Sequence, residues 1–166
     1  MSGPKVLVRE EKQGSPPLKP APEVAWQLVM AVGLAFTAVG GLDLLLTWYP
    51  WHMGNPEWEF GTVSASLDGL PVPALGLGLL LAAVVALGSR WAVRTLAIVF
   101  AVLALVIVVA ALLYATNVPI ALKTVGEPLI RTGLKKAMAK TAGQAVVYPL
   151  IFGWIAVKAW RHAGSR

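Results

Sequence analysis

The sequence has 166 residues, enough for one domain; 57% of them are hydrophobic and only 13% are charged. Soluble globular domains contain about 45–50% apolar and about 25% charged residues, so an ordinary soluble domain is excluded. The formal net charge is +6, but the basic residues lie mainly between the apolar runs. There they suit membrane topology and anionic headgroups better than nucleic acid, which we do not expect as a partner. The absence of cysteine excludes thiolate metal sites and cysteine nucleophiles.

Residues 1–22 contain five prolines and many charges, which predict a disordered tail. The first apolar run, residues 24–48, is long enough to span about 30 Å of hydrocarbon. Trp26 and Trp48 lie at its two ends, where aromatic side chains suit the membrane interfaces. This run predicts the first transmembrane helix.

Residues 49–70 are predicted to form an acidic loop with no lysine or arginine. The second and third runs, residues 71–88 and 92–115, are predicted spans joined by a short link. So short a link makes the two helices antiparallel neighbours.

Residues 126–141 are predicted to form an amphipathic helix with a basic face, and residues 142–160 form the last apolar run. The helix is expected to lie flat at the outer leaflet or to pack on a partner. Its basic face is a candidate site for lipid phosphate, an acidic polymer or an acidic protein surface, and a merely solvated face is equally expected. The face consists of Arg131, Lys135, Lys136 and Lys140.

The predicted fold is an all-α membrane protein, a four-transmembrane-helix bundle over residues 23–161 with an amphipathic interfacial helix before the last span. The positive-inside rule places both ends in the cytoplasm, including residues 162–166. This arrangement has nine basic residues inside and five outside. An alternative places the basic helix in the cytoplasm, with the fourth run not spanning.

Three carboxylates form a candidate polar site. Asp43 lies inside the first span, while Glu57 and Glu59 lie in the acidic loop beside aromatic residues. A carboxylate in a span suggests a transport function, and a pair of carboxylates could hold a cation or exchange protons. The favoured interpretation is structural, with Asp43 reaching the headgroups and the loop capping the bundle. A small transporter or channel subunit remains an alternative.

His52 follows the first span and is flanked by aromatic residues. A histidine can be an axial ligand of a pigment or haem, so a pigment- or haem-associated subunit of an energy-converting complex is a second alternative. A hydrogen-bonding anchor is the favoured role, and we expect no cofactor.

A stripe of small residues follows the second span at intervals of four. Such a stripe allows close approach of another helix, either of a partner or of this chain. Gly33 and Gly40 mark a comparable face on the first span. The stripe consists of Ala74, Gly78, Ala82 and Ala86.

Three short segments, residues 55–59, 67–76 and 129–136, resemble the HpsJ-like bacterial membrane proteins. They correspond to an Asn-Pro-x-Trp stretch, a Pro-x-x-Gly entry to a second helix, and a closing segment before the last helix. The resemblance implies a small protein of the bacterial cytoplasmic membrane, accessory to extracellular polysaccharide production or secretion. It carries over no active site.

The sequence contains no phosphate-binding loop, nucleophile elbow, zinc-protease motif or dinucleotide fingerprint. With the smooth apolar spans, this favours a non-enzymatic accessory or scaffolding subunit of a bacterial membrane complex. Its expected partners are membrane lipids and other membrane protein subunits.

Overall fold

The computed structural model describes residues 22–124 and 128–165, and these residues form five helices. The all-α prediction is confirmed for this part of the chain, and the predicted tail lies outside it except for Pro22. Each of four helices begins with proline, whose fixed φ suits the first helical position. The helices are α1 (Pro22–Thr47), α2 (Pro56–Gly69), α3 (Pro71–Ala86), α4 (Arg90–Thr124) and α5 (Pro128–Gly164).

Three helices are long and apolar enough to cross a membrane: α1, α4 and α5. Each exposes many large apolar side chains, including Leu45 (69%), Leu112 (64%) and Leu150 (68%). In water such surfaces would favour aggregation, whereas in a bilayer they face lipid or another helix. This part of the molecule therefore has the character of a membrane protein.

The prediction of an acidic loop over residues 49–70 is wrong, because most of this segment forms helix α2. The Asn55 side chain caps this helix by accepting hydrogen bonds from the backbone N–H groups of Glu57 (3.0 Å) and Trp58 (3.2 Å). Pro56 and the acidic residues of the first turn also favour a helix start. The low hydropathy of the segment had suggested a loop, although its capping signals were visible in the sequence.

Helices α2 and α3 are separated by one residue, Leu70, and bend by 40°. Alone, the 16 residues of α3 reach only about 24 Å, less than the hydrocarbon thickness. The pair starts beside the end of α1, where the Trp48 ring lies 5.8 Å from the ring of Trp58 in the first turn of α2. The Trp48 indole N–H also donates to Ser66 Oγ at 2.9 Å, near the end of α2. It ends at the turn before α4, where Gly88 adopts a left-handed φ of 74°. Together α2 and α3 thus carry the chain from one end of the bundle to the other.

Helices α1 and α3 pack antiparallel through glycines. An added Cβ at Gly76 would lie 2.5 Å from Thr37 N, and one at Gly40 would lie 2.5 Å from Pro73 Cδ. An added Cβ at Gly33 would lie 2.9 Å from the Gly76 carbonyl oxygen. The predicted Gly33 and Gly40 face on the first span is therefore the packing face of α1.

The predicted interfacial helix and the predicted last span are one continuous helix, α5. Thr141, at the predicted junction, is 1% exposed and hydrogen-bonds Ser64 of α2. Because packing holds this turn and no proline breaks it, the basic segment continues along the axis of the span rather than forming a separate element. Pro149 lies farther along α5, where membrane helices tolerate proline.

Helix α5 runs antiparallel to α4 along its length. The rings of Phe100 and Phe152 contact each other with centroids 5.6 Å apart, and Phe100 is 1% exposed. At the other end of the pair, Tyr114 packs near Thr141. The start of α4 and the end of α5 thus lie at one end of the bundle, and the end of α4 and the start of α5 lie at the other.

Candidate functional site

Helices α2, α4 and α5 meet in a cluster of polar side chains, which we call the polar junction: Glu59, Ser64, Asp68, Asn117, Lys140, Thr141 and Gln144. At one side the Glu59 carboxylate accepts hydrogen bonds from the Gly54 N–H (2.7 Å) and the Asn117 amide (2.6 Å). Asn117 is only 8% exposed. Glu59 thus fixes the loop before α2 and joins α2 to α4.

At the opposite side of the polar junction, Asp68 joins α2 to α5. Its Oδ1 lies 2.7 Å from Lys140 Nζ and accepts a hydrogen bond from the Gln144 amide at 3.0 Å. The Lys140 and Asp68 side chains are 60% and 44% exposed, so solvent or headgroups reach this ion pair. Its role is to set the position of α2 against α5 rather than to add much stability.

At the centre of the polar junction, Thr141 is buried and Ser64 is half-buried. The Ser64 and Thr141 hydroxyls lie 2.9 Å apart. The neighbouring Tyr114 hydroxyl has no well-formed hydrogen bond within the described part of the chain, although Tyr114 is 5% exposed. Phe60 stacks on the Tyr114 ring at 4.8 Å. These contacts are those of a structural cluster that locks three helices together.

The lysines of the basic face differ in whether they are paired within the chain. Lys140 is engaged by Asp68 within the chain, whereas Lys135 and Lys136 are exposed. Neither of these two lysines forms an ion pair with the described residues. The Arg131 side chain lies outside the described residues. Two of the four predicted cations are therefore available to another molecule.

The three carboxylates of the predicted polar site do not form one site. Asp43 is exposed on α1 and Glu57 is exposed at the start of α2, while Glu59 is engaged by Asn117. Residues 22–124 and 128–165 contain no group of three or more acidic, histidine or cysteine side chains that could hold a metal ion. Each of the three carboxylates therefore has to be considered separately.

The predicted stripe of small residues lies mainly on the outside of α3. Gly78, Ala82 and Ala86 are exposed and Ala74 is half-buried. An added Cβ at Gly78 would meet nothing within 4 Å. The stripe is thus not the packing face of α3 within the chain, and its role as a surface for a partner helix stays a prediction.

His52 lies in the loop between α1 and α2. Its Nδ1 donates to the Pro50 carbonyl at 2.9 Å, and its ring lies 6.2 Å from the Trp58 ring. This geometry agrees with the anchoring role. The cofactor alternative stays a hypothesis.

Sequence reasoning missed Asp68, Asn117 and Thr141 as members of a site. A signal was present, since polar residues occur at the borders of apolar runs. Their partners lie 58 to 77 positions away along the chain, however, and spacing within one helix cannot identify such partners.

We expect Asn117→Asp to destabilise the protein roughly twice as much as Asn117→Leu at neutral pH, because it places a second carboxylate against Glu59. Unfolding in mixed micelles, followed by circular dichroism, measures both effects. Acidification should reduce the difference, since protonation of either carboxylate removes the repulsion. Equal losses for the two variants at every pH would contradict the arrangement of Glu59 and Asn117.

No protein-family model, curated protein or solved structure matches this chain.

Proposed function

We propose that this protein is a four-pass, non-enzymatic accessory subunit that holds an acidic partner protein against a membrane complex. In this proposal α2 and α3 act together as one bent span. The proposal is supported by the start of the pair at Trp58, whose ring contacts Trp48, and by its end before Arg90, at opposite ends of the bundle. An even number of crossings leaves both ends of the chain on one side, which we assign to the cytoplasm.

The observation that carries the proposal is the exposed cationic face at the start of α5. Lys135 and Lys136 stand on a helix that continues without a break into a span. One turn farther along, the contacts of Lys140 and Gln144 with Asp68 hold this helix to α2. An unpaired pair of cations on an ordered helix is suited to bind a specific acidic surface, because little backbone order has to be created on binding.

The length of the α4–α5 pair favours a protein partner over lipid headgroups. With 35 and 37 residues, these helices reach about 52–55 Å, more than the about 40–45 Å of a bilayer with its headgroups. Exposed Trp91 and Trp160 lie at the opposite end of the pair, where aromatic side chains anchor helices at the interface. The excess length then projects at the end that carries Lys135 and Lys136.

The resemblance to HpsJ-like proteins extends the proposal to a particular setting. A complex for extracellular polysaccharide production or secretion in the bacterial cytoplasmic membrane would contain the partner. The cationic end would face away from the cytoplasm, because it lies opposite the end that carries residues 22 and 164.

The proposal is tested with a photo-crosslinking amino acid at position 139, which is exposed beside the two lysines. We expect one discrete protein adduct in cells of the source organism, reduced about tenfold by the double change Lys135→Glu and Lys136→Glu. The matched control, Arg90→Glu with Lys158→Glu, reverses two charges at the other end of the bundle and should preserve the adduct. Adducts to lipid alone, or a protein adduct that survives the lysine reversal, would overturn the proposal.

A further inference from the structure

An apolar groove lies between α4 and α5 at the end of the bundle that contains the start of α4. It has a volume of about 360 Å³, within the range of about 300–1,000 Å³ typical of ligand sites. Alanines on both helices leave it open, because no larger side chain fills the space. Its lining residues are Ala97, Ile98, Ala101, Ala156, Val157, Trp160 and Arg161.

The groove has cations at one end only. Arg161 lines it directly and is exposed. Arg94 is also exposed and lies three and four positions before Ala97 and Ile98, on the same face of α4. Neither arginine forms an ion pair with residues 22–124 or 128–165. Two uncompensated arginines therefore stand beside the mouth of an apolar groove.

The chemistry changes along the groove as it does along a phospholipid. Trp160 borders the groove beside Arg161, with an exposed fraction of 54%, and tryptophan prefers the headgroup level of a membrane. With Trp160 at that level, the alanine-lined part would extend toward the middle of the bundle to the depth of the acyl chains. Arginine binds phosphate in a bidentate geometry at the headgroup level.

We propose that this groove is a binding site for one anionic phospholipid, with its phosphate at Arg94 and Arg161 and one acyl chain along Ala97, Ala101 and Ala156. Charge complementarity selects an anionic headgroup over a zwitterionic one. The small side chains admit the acyl chain, which larger residues would exclude. Such a lipid covers the open side of the α4–α5 pair and adds contacts to both helices.

The headgroup part of the proposal is tested by native mass spectrometry of the full chain in neutral detergent. Phosphatidylglycerol and phosphatidylcholine with identical acyl chains are titrated separately. We expect each chain to retain one phosphatidylglycerol molecule tightly and to retain phosphatidylcholine more weakly. Each of Arg94→Gln and Arg161→Gln should lower the affinity for phosphatidylglycerol about fivefold, and the double change should lower it about 25-fold. These factors correspond to about 1 kcal/mol for each basic residue at a membrane surface. The control for the single changes, Lys123→Gln, removes one positive charge at the opposite end of α4 and should leave the affinity unchanged.

The acyl-chain part is tested by filling the groove. Ala101 is exposed, so Ala101→Leu occupies the groove without disturbing the packed core. We expect this change to lower the affinity for both lipids about tenfold, since the leucine side chain takes the place of methylene groups of the acyl chain. Ala82→Leu, at an exposed position on α3, is the matched control and should have no effect.

Three results would overturn the proposal. The first is equal retention of the two lipids by the unmodified protein. The second is unchanged phosphatidylglycerol binding after loss of both arginines, and the third is unchanged binding after Ala101→Leu. A circular dichroism spectrum and unfolding midpoint equal to those of the unmodified protein ensure that a loss of binding is not a loss of fold.

Discussion

Gly76→Ala is expected to destabilise the protein by about 3 kcal/mol, because one methyl group separates α1 from α3. The added Cβ would lie 2.5 Å from both Thr37 N and Thr37 Oγ1, and 2.7 Å from the Gly33 carbonyl oxygen. Two of these three atoms belong to the backbone, so a change of side-chain rotamer cannot remove the contact. The Thr37 hydroxyl also donates to Gly33 O at 2.8 Å, and the same displacement would disturb this hydrogen bond.

The matched control for this prediction is Gly78→Ala, in the same helix and one half-turn away. An added Cβ there meets nothing within 4 Å. We therefore expect the free energy of unfolding to stay the same or to rise by up to about 1 kcal/mol, because alanine has the better helix propensity. Reversible unfolding of both variants in mixed detergent–SDS micelles measures the difference. If the two glycines respond alike, α3 does not present the face of Gly76 to α1.

Phe100→Ala should also destabilise the protein strongly, lowering its free energy of unfolding by about 2 kcal/mol. The ring is 1% exposed and contacts Phe152 across the α4–α5 interface at 5.6 Å. In water-soluble cores this substitution costs about 3–5 kcal/mol. Between membrane helices the cost is lower, because the alternative surroundings of the ring are lipid rather than water and mainly packing is lost.

Leu105→Ala on the same helix provides the comparison. Leu105 is 64% exposed, so its removal should change the free energy of unfolding by less than about 0.5 kcal/mol. The same unfolding assay applies, with loss of the helical circular dichroism signal on heating as a second readout. A loss at Leu105 as large as that at Phe100 would contradict the orientation of α4.

The proposed partner surface and the proposed lipid site lie at opposite ends of the α4–α5 pair. Lys135 and Lys136 stand near the start of α5, whereas Arg94 and Arg161 stand near the start of α4 and the end of α5. Substitutions at one end should therefore leave binding at the other end unchanged. This separation allows the two proposals to fail independently.

Composition and the lengths of the apolar runs were sufficient to predict an all-helical membrane protein. The first, third and last runs each became part of a long helix, because about 20 consecutive apolar residues leave few alternatives in which every backbone group is hydrogen-bonded. The basic face of residues 131–140 was also visible, since helical periodicity places those residues on one side. These properties are local, and the sequence by itself determined them.

Only the tertiary structure decided which faces meet. An interval of four residues shows that Ala74, Gly78 and Ala82 share a face, but it does not show where that face points. The close contact instead uses Gly76, because α1 approaches the other side of α3. For the same reason the sequence could not show that Lys140 forms an ion pair within the chain while Lys135 does not. Its partner, Asp68, is brought near it by the packing of α2 against α5, across 72 positions of the chain.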